Sequence, residues 1–132
     1  MILYVDYEHA STYTKEHANL ILAARTRISY MLQDVVGHRC LLQRYTDVGA
    51  DIIDELDVAA VFISGNGAAP EVYDQADLEG LATIVRSGRT PVLWFCGGPS
   101  AAQRGTNGPL RSSSTIGCSQ GWTAPQSPAR TL

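Results

Sequence analysis

Four short apolar runs alternate with segments of helical periodicity, and this alternation constrains the fold more than any other feature of the chain. Ile2-Leu3-Tyr4-Val5 is continuous in its apolar character, partly β-branched and ended by Asp6, which suits a buried strand better than a helix. Cys40-Leu41-Leu42 with Tyr45 reads as a second strand, Val58 to Ile63 as the third and strongest, and Pro91 to Phe95 as the fourth. From Thr14 to Val36, Ala18, Ile21, Leu22, Ile28, Met31, Leu32 and Val35 recur at three and four, one face of an amphipathic helix that Gly37 ends. Asp51–Leu56 reads as a short helical turn. A further helix starts at about Gln75, with Asp74 accepting from the free N–H groups of its first turn. Leu78, Leu81, Ala82 and Val85 share a face there, and Gly88 is the cap. Such alternation predicts βαβ units and a parallel sheet with helices on both faces, an α/β fold. Ligands of these sheets bind beyond the carboxyl ends of the strands. Chemistry is therefore expected where the loops after Asp6, Ile63 and Phe95 meet.

Composition narrows the partners. With 132 residues, 45% of them hydrophobic, one modest domain is expected. A formal charge of −3 and a pI near 5.5 give no electrostatic footprint for nucleic acid. No run approaches the roughly eighteen apolar residues of a membrane span, and Met1 leads into apolar sequence without a basic segment. Cys40, Cys96 and Cys118 are odd in number and widely spaced, so neither a disulfide framework nor a metal site is indicated. The expectation is a soluble cytoplasmic protein with no cofactor, no membrane and no nucleic acid.

Trp94-Phe95-Cys96-Gly97-Gly98 sets a cysteine at the tip of an apolar strand with glycine beyond it, the sequence form of a nucleophile elbow. Small neighbours matter because such a nucleophile occupies a tight strand-to-helix turn. At a helix start, free N–H groups and the positive end of the helix dipole favour thiolate over thiol. Read alone, Cys96 is better explained as a buried core cysteine, since free Cys is among the most buried residue types. A second glycine loop, Ser64-Gly65-Asn66-Gly67, ends the neighbouring strand one βαβ unit earlier. Alone it is an ordinary βα turn. Beside Cys96, its backbone N–H groups and that of Gly97 are candidates for an oxyanion hole in acyl transfer.

Together these residues resemble the class I (triad) glutamine amidotransferases. Pro91-Val92-Leu93 running into Cys96-Gly97-Gly98 is similar to that family's strand and elbow, and Phe62-Ile63-Ser64-Gly65-Asn66-Gly67 through Pro70 is similar to its oxyanion strand and loop. The resemblance covers residues 1–98 and implies a flavodoxin-like parallel sheet, here incomplete. It also implies that Cys96 takes the γ-glutamyl group from glutamine, with Gly65, Asn66, Gly67 and Gly97 binding substrate. The ammonia released goes to an acceptor on a synthetase domain or subunit. Asn66 stands where the family usually has glycine, and Trp94 where it often has another.

After Gly98 the pattern stops. Pro99-Ser100 replaces the expected His-Gln of the elbow helix, and the family's later His and Glu, two apart, have no counterpart after Cys96. His9, His17 and His38 all precede it, with solvent-facing or helix-surface roles expected. All 13 acidic residues lie at or before Glu79, and of the 36 residues from Gly97 onward, 20 are Gly, Pro, Ser or Thr. Residues 99–132 are expected to be disordered, because such a composition cannot offset its ordering entropy. Pro-Ser-Ala-Ala-Gln-Arg at 99–104 can be encoded so that reading one base later gives His-Gln-Leu-Leu-Asn. A one-base frameshift in a GC-rich gene therefore competes with a genuine low-complexity tail. On function, a truncated and inactive amidotransferase competes with two other classes. One is another elbow-cysteine protein, such as a gamma-glutamyl hydrolase or a DJ-1-like protein using Glu8; the other is a non-catalytic flavodoxin-like binding module.

Overall fold

A computed structural model describes residues 1–95, which form a four-stranded, all-parallel sheet in the order β2-β1-β3-β4. The elements are β1 (Ile2–Asp6), α1 (Ala18–Val36), β2 (Cys40–Arg44), α2 (Ile52–Glu55), β3 (Ala60–Ile63), α3 (Gln75–Ser87) and β4 (Val92–Trp94). This is an incomplete flavodoxin-like α/β fold. β1 lies between β2 and β3, with Tyr4 in register with Leu42 on one side and Phe62 on the other. Every residue of β1 is buried, as expected of a central strand in a parallel sheet.

Alternation of side chains along β1 divides the molecule into two layers. Leu3, Val5 and Tyr7 join Val61 and Ile63 in a core closed by Leu78, Leu81 and Ile84 of α3. On the other face, Asp6 meets Arg25 of α1. α3 begins where Asp74 Oδ1 accepts from the Ala76 N–H and ends at Gly88, whose φ of 60° is the left-handed conformation that glycine adopts without a Cβ penalty.

α3 also approaches the backbone after β2 closely. A Cβ on Gly80 would overlap the Val48 carbonyl oxygen, and backbone cannot swing away as a side chain can. Gly80→Ala should gain about 1 kcal/mol of helix propensity yet destabilise the protein by about 2 kcal/mol net, because α3 must shift off its core contacts. Urea unfolding of the two proteins measures this. Equal or greater stability of the variant would show that the helix has room to move.

Several sequence expectations shift. The first helix starts at Ala18 and not at Thr14, residues 15–17 forming a turn before it. Tyr45 leaves the second strand for a 3-10 turn over Tyr45–Asp47, where its ring packs into the core. The third and fourth strands begin two and one residues late, at Ala60 and Val92. The apolar face of α1 is corrected more substantially, since Leu32 alone is buried while Leu22, Met31 and Val35 are exposed. The seven residues assigned to that face span too wide an arc for one flat sheet to cover. The sheet takes the strip through Ile21, Arg25, Ile28 and Leu32. The expectation for residues 99–132 lies outside the described residues.

Candidate functional site

In the strand order 2-1-3-4, the chain reverses its direction of growth between β1 and β3, the point beyond whose carboxyl ends the ligand crevice of such sheets lies. Asp6, Tyr7 and Glu8 leave β1 there, and Ser64 to Gly67 leave β3. The two segments are stitched together by backbone N–H groups that donate to side-chain and backbone oxygens across the gap. The Tyr7 N–H donates to Ser64 Oγ at 2.8 Å, and Ser64 N–H donates to the Val5 carbonyl at 2.9 Å. The Gly67 N–H donates to Glu8 Oε1 at 2.8 Å.

Arg25 reaches this crevice from the sheet-facing strip of α1. Its Nε donates to Asp6 Oδ1 at 2.9 Å and its Nη2 to the Gly65 carbonyl at 3.0 Å, with Glu8 Oε2 3.6 Å away. The three charged side chains are nearly buried, at 12% exposure for Arg25, 6% for Asp6 and 8% for Glu8. One guanidinium therefore clamps both loops and compensates two carboxylates. Burial alone would lower the Arg25 pKa, but its hydrogen bond to Asp6 and neighbouring charges raise it on balance. The Tyr13 hydroxyl donates to the other oxygen of Asp6. Burial and then Asp6 push the Tyr13 pKa up, so it is a donor here and no phenolate base. Arg44, from the end of β2, donates to the Glu8 carbonyl at 3.2 Å and lies over the Tyr13 ring.

Beneath the loops lies an aromatic floor. Tyr7 and Tyr73 stack with centroids 4.9 Å apart, and Tyr45 and Trp94 close around them. The Tyr73 hydroxyl donates to the Tyr7 carbonyl at 2.8 Å and accepts from Asn66 Nδ2 at 2.9 Å. Asn66 thus turns its side chain inward, onto Tyr73 and the Ala68 carbonyl.

The sequence-predicted site residues divide accordingly. Gly65, Asn66 and Gly67 lie at the crevice. Among the described residues, the N–H groups of Gly65 and Asn66 have no acceptor, whereas that of Gly67 is taken by Glu8. Cys96 and Gly97 lie outside the described residues. The preceding residue is fixed, however: the Phe95 N–H donates to the Ile63 carbonyl at 2.8 Å, and Trp94 is in register with Ile63. Of the histidines, His17 and His38 are exposed, and His9 accepts from the Ser11 N–H through Nδ1. Sequence reasoning missed Asp6 and Arg25. The available signal was an arginine inside an apolar strip, Ile21-Arg25-Ile28-Leu32, because a charge at a sheet-facing position needs a buried partner.

Cys40, on edge strand β2, is partly buried, and burial pushes its thiol pKa up. Cys40 should therefore alkylate slowly at neutral pH and Cys96 faster, as mass mapping after a short exposure to iodoacetamide would show. Preferential labelling of Cys40 in folded protein would remove the elbow assignment.

No helix among the described residues is long and apolar enough to cross a membrane, and none of their side chains group as a metal site. No known family model matches the chain, and no curated protein shows significant similarity to it.

Proposed function

We propose that residues 1–98 are the front half of a class I glutamine amidotransferase domain, with Cys96 as nucleophile. The observation that carries this reading is the pairing of β3 with β4. It brings Phe95, the residue before Cys96, alongside Ile63, directly before a loop in which two backbone N–H groups have no acceptor among the described residues. In the proposed chemistry, the Cys96 thiolate attacks the γ-carboxamide carbon of glutamine. The oxygen takes up negative charge against the N–H groups of Gly65, Asn66 and Gly97. Collapse of the intermediate expels ammonia, which needs a proton, and leaves a γ-glutamyl thioester for water to cleave. The partner would be a synthetase domain or subunit that consumes the ammonia; no cofactor or metal enters the reaction.

Glu8 favours a second reading, a DJ-1-like elbow-cysteine protein. Its carboxylate is nearly buried at the same crevice and holds the Gly67 N–H. That group would bias the state of a neighbouring thiol without any need for a downstream histidine.

Sequencing the DNA across codons 97–100 separates the two. The amidotransferase reading expects an open frame one base on, giving His-Gln after Gly98 and, later, a His and a Glu two residues apart at a strand end. A confirmed Pro99-Ser100 frame with no such continuation would remove that reading and leave the Glu8 alternative.

A further inference from the structure

The outward face of α1 sets exposed apolar side chains around one opposite-charge pair, Arg27 and Asp34, that has no partner within its own helix. Leu20, Ala23, Ala24, Arg27, Tyr30, Met31, Asp34 and Val35 are all exposed, Leu20 at 70%, Tyr30 at 63% and Val35 at 78%. Four large apolar side chains exposed on one helix face, Leu20, Tyr30, Met31 and Val35, are the kind of surface that marks sites of association. Arg27 and Asp34 form no ion pair among the described residues. The residues four away along the helix are Ala23 and Met31 for Arg27, and Tyr30 and His38 for Asp34, so helical spacing offers neither one an acidic or basic aliphatic partner.

We propose that this face binds a second copy of the chain through an antiparallel, twofold α1–α1 contact. Seven residues separate Arg27 from Asp34, so both fall on one stripe two turns apart. In an antiparallel pair centred between Tyr30 and Met31, Arg27 of each copy stands opposite Asp34 of the other, and the twofold axis makes both ion pairs at once. A parallel pair would set Arg27 against Arg27, so the charges select the antiparallel register. Tyr30 and Met31 meet at the centre, and the small Ala23 and Ala24 permit close approach. The chain's own tail is a poor competitor. Residues 99–132 hold four large apolar side chains, Leu110, Ile116, Trp122 and Leu132, spaced by six and ten residues and so never sharing a helical face at three or four.

Sedimentation equilibrium over a concentration series, on the full chain, tests this with charge variants whose folding is checked by circular dichroism. Arg27 and Asp34 are exposed, so neither change disturbs the core. The wild type should form a dimer. R27D and D34R should each weaken it by about tenfold or more, because each sets like charges opposite one another. The double variant R27D/D34R should restore it. A chain that stays monomeric throughout, a dimer indifferent to both reversals, or open-ended aggregates would each overturn the proposal. So would a monomer that dimerises once residues 99–132 are deleted, which would give this face to the tail.

Discussion

The 132-residue chain, incubated with glutamine, should release no more ammonia than its Cys96→Ala variant. The reason is missing groups and not weakened ones. After Cys96 the chain contains no histidine and no acidic residue. A thiolate formed there has no acid to protonate the leaving ammonia and no base to activate water for deacylation. The upstream groups do not substitute. Asp6 and Glu8 are tied to Arg25 and Gly67, and His9 holds the Ser11 N–H. Loss of one triad member costs roughly three to six orders of magnitude in related cysteine and serine chemistry. Translating the gene one base later after Gly98 should restore turnover by several orders of magnitude. Cys96-dependent turnover in the present chain would overturn the prediction and make His9 the first residue to replace. A repaired frame that folds but stays inactive would count against the amidotransferase proposal itself.

Arg25→Met should be the most damaging single substitution among the described charged residues. It keeps the length and apolar stem of the side chain and removes its charge. Asp6 and Glu8 are then left nearly buried with no cation between them, and the Gly65 carbonyl loses its donor. Breaking a buried ion pair from one side costs about 3–5 kcal/mol, which is a large part of the total stability of a small domain. Thermal unfolding monitored by circular dichroism should show a drop of well over 10 °C. Arg89→Met is the control, since its pair with Asp54 is exposed on both sides and should leave the melting curve unchanged. Equal melting of the two variants would mean that water already screens the Arg25 cluster. Restoring the charge balance with Asp6→Asn in the Arg25→Met background should recover part of the loss, because one of the two orphaned carboxylates is removed.

The second prediction rests on the charged cluster at the ends of β1 and β3, whose loops the sequence placed there without describing their contacts. Ser64 to Gly67 announced itself, because glycine after a β-branched run marks a tight βα turn. Asp6 was legible only as the end of an apolar run. That Arg25 spans from α1 to close the gap between Asp6 and Gly65 depends on how the helix is rolled against the sheet. The roll follows from packing, and periodicity alone offered an arc too wide to fix it.

The sequence by itself determined the order and type of the elements, the parallel sheet, the capping of α3 by Asp74 and Gly88, and the loops that leave the carboxyl ends of the strands. Those follow from local rules: period of apolar residues, turn chemistry and the handedness of crossovers. Tertiary structure decided the rest. It turned Leu20, Met31 and Val35 outward by setting α1 over β1 and β2, and gave the Gly67 N–H to Glu8 while leaving those of Gly65 and Asn66 without an acceptor among the described residues. It also drew Asn66 inward to Tyr73. These depend on contacts between residues up to 66 positions apart, and no local pattern records which distant partner a polar group will meet once the layers close.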